Sequence, residues 1–338
     1  MMLTGYSGII HPGSFRILTL MGFAFPAFMF ANMAFLLVWA LVRIRNVIVP
    51  IAGFLLCYSP VQNYFPFNVP SEAPEGCMKV LSYNVYYFNE GMRGTNPILK
   101  YIVDSDADIV CLQEYYHIYG QDSLWNKIDS IYQYQDTIKS RGYKSPGADN
   151  IALLSKYPII EKHPIHIVTA GNTLGVFKLN VNGDTVHVIN AHLETVGLSE
   201  EEKSGFSNIV HGKTERGEMK RETKFLARKI ADASVIRAAQ ADSIDDYIRR
   251  HRGERIIVCG DFNDHPLSYV HNTVASRLTD CYRASGHWAG YTFHYHSMHV
   301  RIDHIMCSEH WKPYQCTVDK SIDLSDHYPV YCYLQAKK

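Results

Sequence analysis

The chain has 338 residues, 47% of them hydrophobic and 20% charged, with 33 Lys and Arg against 33 Asp and Glu. This excludes a disordered or fibrous protein and leaves room for one large globular domain plus an extra segment. Setting aside residues 1–77, which hold Arg16, Arg43, Arg45, Glu72 and Glu75, leaves 30 basic against 31 acidic residues, a net of −1, so no global positive field advertises nucleic acid.

From Ile17 to Val42 the chain is apolar and uncharged (ILTLMGFAFPAFMFANMAFLLVWALV), longer than the roughly 20 residues a helix needs to cross a bilayer. It lacks the basic start, short apolar core and small-residue cleavage site of a signal peptide, so it reads as a retained anchor, with Pro26 placed to kink it. A second apolar run, Val47 to about Phe67, is interrupted by Pro50 and Pro60 and carries Gln62 and Asn63. It reads either as a second span or as an interfacial or buried segment. Arg43 and Arg45 between the runs favour the cytoplasmic side. Two spans would put the remainder of the chain outside the cytoplasm, as in a bacterial-type inner membrane; one span would reverse that. The expected organisation is therefore a membrane anchor over 1–67, with transmembrane helices at about 17–42 and 47–67, a linker over 68–77 (NVPSEAPEGC) and a catalytic domain over 78–338.

Beyond the linker, KVLSYNVYYF, ADIVCLQEYY, NIALLSKYPII, TLGVFKLNV, DTVHVINAHLE, RIIVCGDFN, RIDHIMC and HYPVYCYL are strand candidates. The clearest helix runs from about Glu215 to Arg250, with Leu226, Ile230, Ala233 and Ile236 at helical spacing. The pattern is mixed α/β. The eight cysteines show no CxxC pairing, which argues against a zinc ribbon or a redox motif; Cys111, Cys259 and Cys332 sit in strand-like runs as small buried hydrophobes.

Polar residues gather where the apolar strands end: Asn84 after KVLSY, Glu114 after DIVCLQ, His192 after VHVINA, Asp261 and Asn263 around RIIVCGDFN, then Asp303 in RIDHIM and Asp326 with His327 in LSDHYPV. Carboxylates and amides offer the oxygens a hard cation takes, and imidazoles stabilise charge growing on phosphate oxygens, so the set suits phosphate-ester hydrolysis. There is no HExxH, no GxxxxGK[ST] and no GxSxG, which removes zinc proteases, P-loop enzymes and serine hydrolases. Singly, Asn84 could cap a turn and Asp303 satisfy a backbone amide. Glu114 ends a buried run on a charge, which demands compensation, and a metal is the economical one.

SYNV (82–85), QE (113–114), ALLSKYPI (152–159), NAHLE (190–194), GDFN (260–263), RIDHI (301–305) and SDHYPV (325–330) together resemble the endonuclease/exonuclease/phosphatase superfamily over about residues 78–336. The resemblance implies a two-sheet α/β sandwich and a magnesium-dependent phosphoesterase, with manganese able to substitute. Glu114 is similar to the principal metal ligand, with Asn84 beside it and Asp326 completing the shell. Asp261 resembles the group that orients or deprotonates the attacking water, Asn263 its support, His327 the phosphate-binding histidine with Asp303 on its other ring nitrogen, and His192 a second phosphate contact. Hydrolysis would be a single in-line step.

The substrate class stays open among lipid, small molecule and nucleic acid. A nuclease is the first alternative, though the basic footprint that phosphate-backbone binding needs is missing. A catalytically silent membrane scaffold is the second, and its signature, loss of a core residue, is not found. His294, His296 and His299 in HYHSMH admit a zinc reading or a substrate-pocket role in a loop. The run Lys213, Arg216, Lys220, Arg221, Lys224, Arg228 and Lys229 against Glu215, Glu218 and Glu222 is either a solvated helix face or a contact to phosphates or anionic headgroups. No protein partner can be inferred.

Overall fold

The computed structural model describes residues 1–89, 94–140, 150–169, 171–211, 213, 216–295 and 298–337; His296 and Glu215 lie outside the described residues, as do the side chains of Arg216 and Glu218. The eight expected strand runs all contain strands. In chain order these are β1 (Met78–Asn84), β2 (Ile109–Tyr115), β3 (Tyr134–Ile138), β4 (Asn150–Ser155), β5 (Ile159–Pro164), β6 (Thr173–Val181), β7 (Asp184–His192), β8 (Arg255–Asp261), β9 (Thr279–Asp280), β10 (Phe293–Tyr295), β11 (Met298–Val300), β12 (Asp303–Cys307), β13 (Trp311–Val318) and β14 (Val330–Ala336).

Two six-stranded sheets result, ordered β13-β14-β1-β2-β4-β3 and β5-β6-β7-β8-β12-β9. In each, one parallel pair, β1 with β2 or β7 with β8, is flanked by antiparallel strands. Because successive side chains on a strand face opposite ways, every central strand feeds two cores. Val80, Ile109, Cys111, Val186, Val188, Ile257, Cys259, Ile305 and Cys332 fill the space between the sheets. Leu81, Tyr83, Val110 and Leu112 face the helices Pro97–Asp104 and Asp122–Ile131. Ile189, Ala191, Val258 and Met306 face Arg216–Arg250 and Tyr269–Ala275. The molecule is thus the α/β sandwich expected, two mixed sheets with helices outside.

The 35-residue helix Arg216–Arg250 begins within a residue of the expected position. All eight cysteines are free, and seven are buried, as small hydrophobes should be. HYHSMH is expected as a loop, whereas its described residues belong to the antiparallel strands β10 and β11, with His294 opposite His299. His294 stacks on Tyr328 at 3.7 Å and its Nδ1 lies 3.4 Å from Asp323.

Residues 1–67 pack against the sandwich and then leave it. Among the described residues one helix is long and apolar enough to cross a membrane, Arg16–Val42, with only 11% of its apolar window buried. The second run is broken: Ile44–Leu56 and Tyr58–Tyr64 meet at 63°. It returns alongside the first, since Asn32 Nδ2 donates to the Pro50 carbonyl at 2.9 Å. Phe25, Met29, Cys57, Tyr64 and Phe65 bury against Leu267 of the sandwich. The hairpin tip holds Arg43 and Arg45, and around it Leu41 (89% exposed), Val42, Ile44, Ile48 and Val49 stand open. The segment 68–77 has no helix or strand, but Asn68 Nδ2 donates to the carbonyls of Arg283 and Gly286 at 3.0 and 2.7 Å.

Candidate active site

The inward-facing positions that are apolar low on the central strands turn polar at one end. On β7 the inner face runs Val186, Val188, Asn190, His192; on β8 Ile257, Cys259, Asp261; on β1 Val80, Ser82, Asn84. His192 pairs in register with Asp261, and Asp261 with Asp303, so three titratable side chains form a row across β7, β8 and β12. All three are at most 2% exposed.

Asn84 comes from the opposing sheet and joins the two halves. Its Nδ2 donates to Glu114 Oε1 at 3.1 Å and to Asp261 Oδ2 at 3.2 Å, while its Oδ1 accepts from Tyr86 N. Glu114 reaches this cluster through a backbone irregularity. Strict alternation would turn it away from Gln113, but its φ is 51° and the β2–β4 register shifts between Leu112 and Tyr115, which re-aims the side chain as bulges do. Asn263 shares the left-handed geometry, with φ 52°. Its backbone N–H donates to Asp261 Oδ1 at 2.7 Å and its side chain donates to the Leu193 carbonyl at 2.9 Å. Left-handed conformations in non-glycine residues carry a cost that functional sites tolerate.

His327 lies between two acids. Its Nδ1 donates to Asp303 Oδ2 at 2.8 Å and its Nε2 stands 3.6 Å from Asp261 Oδ2. Burial works against the charged ring, but the Asp303 and Asp261 carboxylates outweigh it and hold the pKa well above the usual imidazole range. Asp261 moves upward as well: burial raises it, opposed by His327 and reinforced by Asp303. His192 Nε2 lies 3.8 Å from Glu114 Oε1 and 3.7 Å from Asp261 Oδ2, with its Nδ1 buried and unpartnered. Asn84, Glu114, His192, Asp261, Asn263, Asp303 and His327 therefore converge, while Asp326 adjoins His327 in the chain and its carbonyl accepts from His294 N at 3.1 Å.

The Glu114 and Asp326 carboxylates offer oxygens of the kind a hard divalent cation takes. Asp326 Oδ1 is buried with no hydrogen-bond donor, as a carboxylate oxygen kept for a cation would be.

Four positioning residues escaped the sequence reading. Ser325 Oγ donates to the Asn84 carbonyl at 2.7 Å and accepts from His327 N at 3.1 Å, tying the His327 loop to the end of β1. Thr292 Oγ accepts from the amides of Ile302 and Asp303. Asn190 donates to the carbonyls of Leu112 and Ala152 and accepts from Gln113 Nε2 at 2.7 Å, stitching the two sheets just beneath the site. Ser325 and Asn190 lie inside SDHYPV and NAHLE, so a signal existed; Thr292 had none. Buried Arg237 donates to the Glu194 carbonyl and to Asp264 Oδ2, bracing the loop after Asn263.

In the basic helix, Lys229 is held by Glu202 at 2.7 Å, whereas Lys220, Arg221, Lys224 and Arg228 are exposed.

A sequence-family model described as the endonuclease/exonuclease/phosphatase family matches residues 81–327. A second, described only as a domain of unknown function (DUF8431), matches residues 1–64. No curated protein matches the chain. Solved structures similar to it include truncated Caenorhabditis elegans TDP2 (18% identity, TM-score 0.52, covering 78% of this chain and 100% of that one). Others are the endonuclease/exonuclease/phosphatase from Bacteroides vulgatus (17%, 0.52, 78% and 100%) and the human Nocturnin catalytic domain with bound sulfate anion (18%, 0.53, 77% and 95%). At these identities the likeness is one of fold.

Proposed function

The chain belongs to the endonuclease/exonuclease/phosphatase family, whose members are hydrolases of phosphoester bonds that generally use divalent metal ions, and on that premise we propose that it is a membrane-anchored, magnesium-dependent phosphoesterase cleaving a phosphodiester or phosphomonoester. The observation that carries this reading is the buried row His192, Asp261, Asp303 with His327 bridging Asp303 and Asp261. Asp261, raised above the ordinary carboxylate range, is the base that orients and deprotonates the attacking water. Asn263 holds one of its oxygens through the backbone amide, leaving Oδ2 turned toward Asn84, His192 and His327. His327, kept charged by its two acids, binds one phosphate oxygen, and His192 a second. Magnesium held by Glu114, Asn84 and Asp326 would supply positive charge to the phosphate and the leaving oxygen. Manganese would serve in its place. No nucleophilic side chain is required, so the reaction is one in-line displacement by water.

The anchor reading rests on the exposed apolar hairpin. Both of its ends lie on the sandwich: Arg16 pairs with Asp232 at 2.7 Å, Phe25 packs on the Leu267 cluster, and the Asn63 carbonyl accepts from Arg301. Residues before and after the hairpin thus share one side with the catalytic domain, and Arg43 and Arg45 occupy the far end. If the hairpin crosses the bilayer, the positive tip belongs in the cytoplasm and the catalytic domain outside it. A carboxyl-terminal reporter active only outside the cytoplasm should give signal; silence would reverse the sidedness.

Substrate class is read by incubating the full chain, in detergent and magnesium, with bis-p-nitrophenyl phosphate, p-nitrophenyl phosphate, plasmid DNA and sphingomyelin. The neutral domain and the anchor favour a lipid or small-molecule ester. Preferential cutting of plasmid DNA would make the protein a nuclease, and hydrolysis of none of the four would count against the proposal.

A further inference from the structure

On the opposite face of the sheet that carries the catalytic row, His271, Asp280 and His304 bring two imidazoles and a carboxylate together, each residue at most 4% exposed. Their ligand atoms all lie within 4.8 Å of one another. They come from three separate elements, the helix Tyr269–Ala275, β9 and β12. His304 follows Asp303 on β12, and alternation sends the two side chains to opposite faces. His304 accordingly packs against Phe262 and His271, with ring centroids at 5.0 and 4.9 Å.

Hydrogen bonding inside the cluster is incomplete. His271 Nε2 lies 2.9 Å from Asp280 Oδ2, and Asp280 Oδ1 accepts from the amides of Tyr282 and Arg283. That leaves His271 Nδ1 and both ring nitrogens of His304 buried without a partner. The Asp264 carbonyl acts on the His304 ring but falls outside hydrogen-bonding geometry. A neutral imidazole has one donor and one acceptor to satisfy, and native interiors seldom leave both unmade. Arg301, the permanent charge nearby, donates instead to the carbonyls of Ala289 and Asn63 and lies over the Tyr282 ring. The Asp280 carboxylate is not consumed by it.

We propose that His271, Asp280 and His304 bind a structural transition-metal ion of the zinc class, separate from the catalytic magnesium site. Two neutral imidazoles and one carboxylate are a donor set that zinc takes in preference to magnesium. The ion ties an outer helix and an edge strand to the strand that carries Asp303, which gives it a positioning role.

The test is the zinc content of the full chain, purified in detergent without chelator, measured by elemental mass spectrometry in three forms: wild type, Glu114→Gln and His304→Phe. About one equivalent of zinc is expected in the first two and none in the third. Cobalt replacement should give the visible bands of a four-coordinate site in wild type and Glu114→Gln. Loss of zinc in Glu114→Gln would assign the metal to the catalytic centre and overturn the proposal. So would wild-type protein that carries no zinc and takes up none when it is added, or unchanged zinc in His304→Phe. If His304→Phe does not fold, His271→Gln is read in the same way, and the comparison of wild type with Glu114→Gln still separates the ion from the catalytic centre.

Discussion

The Asp303 carboxylate accepts the Nδ1 proton of His327 at 2.8 Å, and both groups are buried. The contact fixes which ring nitrogen faces the phosphate and keeps the ring charged above the pH at which a free imidazole loses its proton. A raised pKa places the loss of charge on the alkaline side, so kcat/KM should fall only as pH rises through that raised value. Asp303→Asn removes the largest charge supporting the imidazolium and should move the alkaline limb to lower pH by about 1–3 units. A pH–rate profile checks this; an unmoved limb would mean that His327 does not titrate in catalysis.

Gly260 immediately precedes Asp261 and has φ 136°, with a Cβ at its position colliding with the Ala191 carbonyl on β7. No side chain can be added without separating the two strands that carry His192 and Asp261. Gly260→Ala should cost on the order of 3 kcal/mol of stability and most of the activity together. Denaturation midpoint and turnover, measured on one preparation, test it. A stable, active variant would show that the row tolerates movement.

Arg301 is 2% exposed and donates to two backbone carbonyls, one in the N-terminal segment at Asn63 and one at Ala289. Arg301→Met preserves bulk but strands both acceptors, at about 1–3 kcal/mol each. We expect faster proteolysis between residues 65 and 77 in detergent and a lower melting temperature, with Lys a partial replacement. Wild-type resistance to protease would indicate that the N-terminal segment is held by its apolar contacts alone.

Glu114 is the acid whose strained backbone brings it beside Asn84. If it is the principal magnesium ligand, Glu114→Gln should raise the magnesium concentration for half-maximal activity by at least about tenfold while leaving the fold intact. An unchanged magnesium dependence would move the ion to other ligands.

The central strands were legible because each is a short continuous apolar run ending in a polar residue, the pattern a strand buried on both faces must have. Edge elements were not. β3 (YQDTI) and β13 (WKPYQCTV) are largely polar or interrupted by Pro313, since one side of each meets water. The residues proposed for the site stand out through motif spacing, but their mutual geometry does not: the left-handed turn at Glu114 and the Thr292 hydroxyl under Asp303 depend on contacts made far along the chain. The same holds for the second apolar run. Its composition fits a span, yet the 63° break at Cys57 and the burial of Tyr64 against the sandwich are tertiary facts. Arg301 lies within the RIDHI motif but donates to the Asn63 carbonyl of the N-terminal segment.

The most direct test is magnesium-dependent hydrolysis of bis-p-nitrophenyl phosphate by the full chain with Asp261 intact or replaced by Asn, a change that keeps shape and removes the base. In Asp261→Asn kcat should fall by about 10²–10⁴-fold with folding unaltered, and chelator should abolish the wild-type rate. Hydrolysis by Asp261→Asn at the wild-type rate, or wild-type turnover indifferent to chelator, would contradict the proposed function.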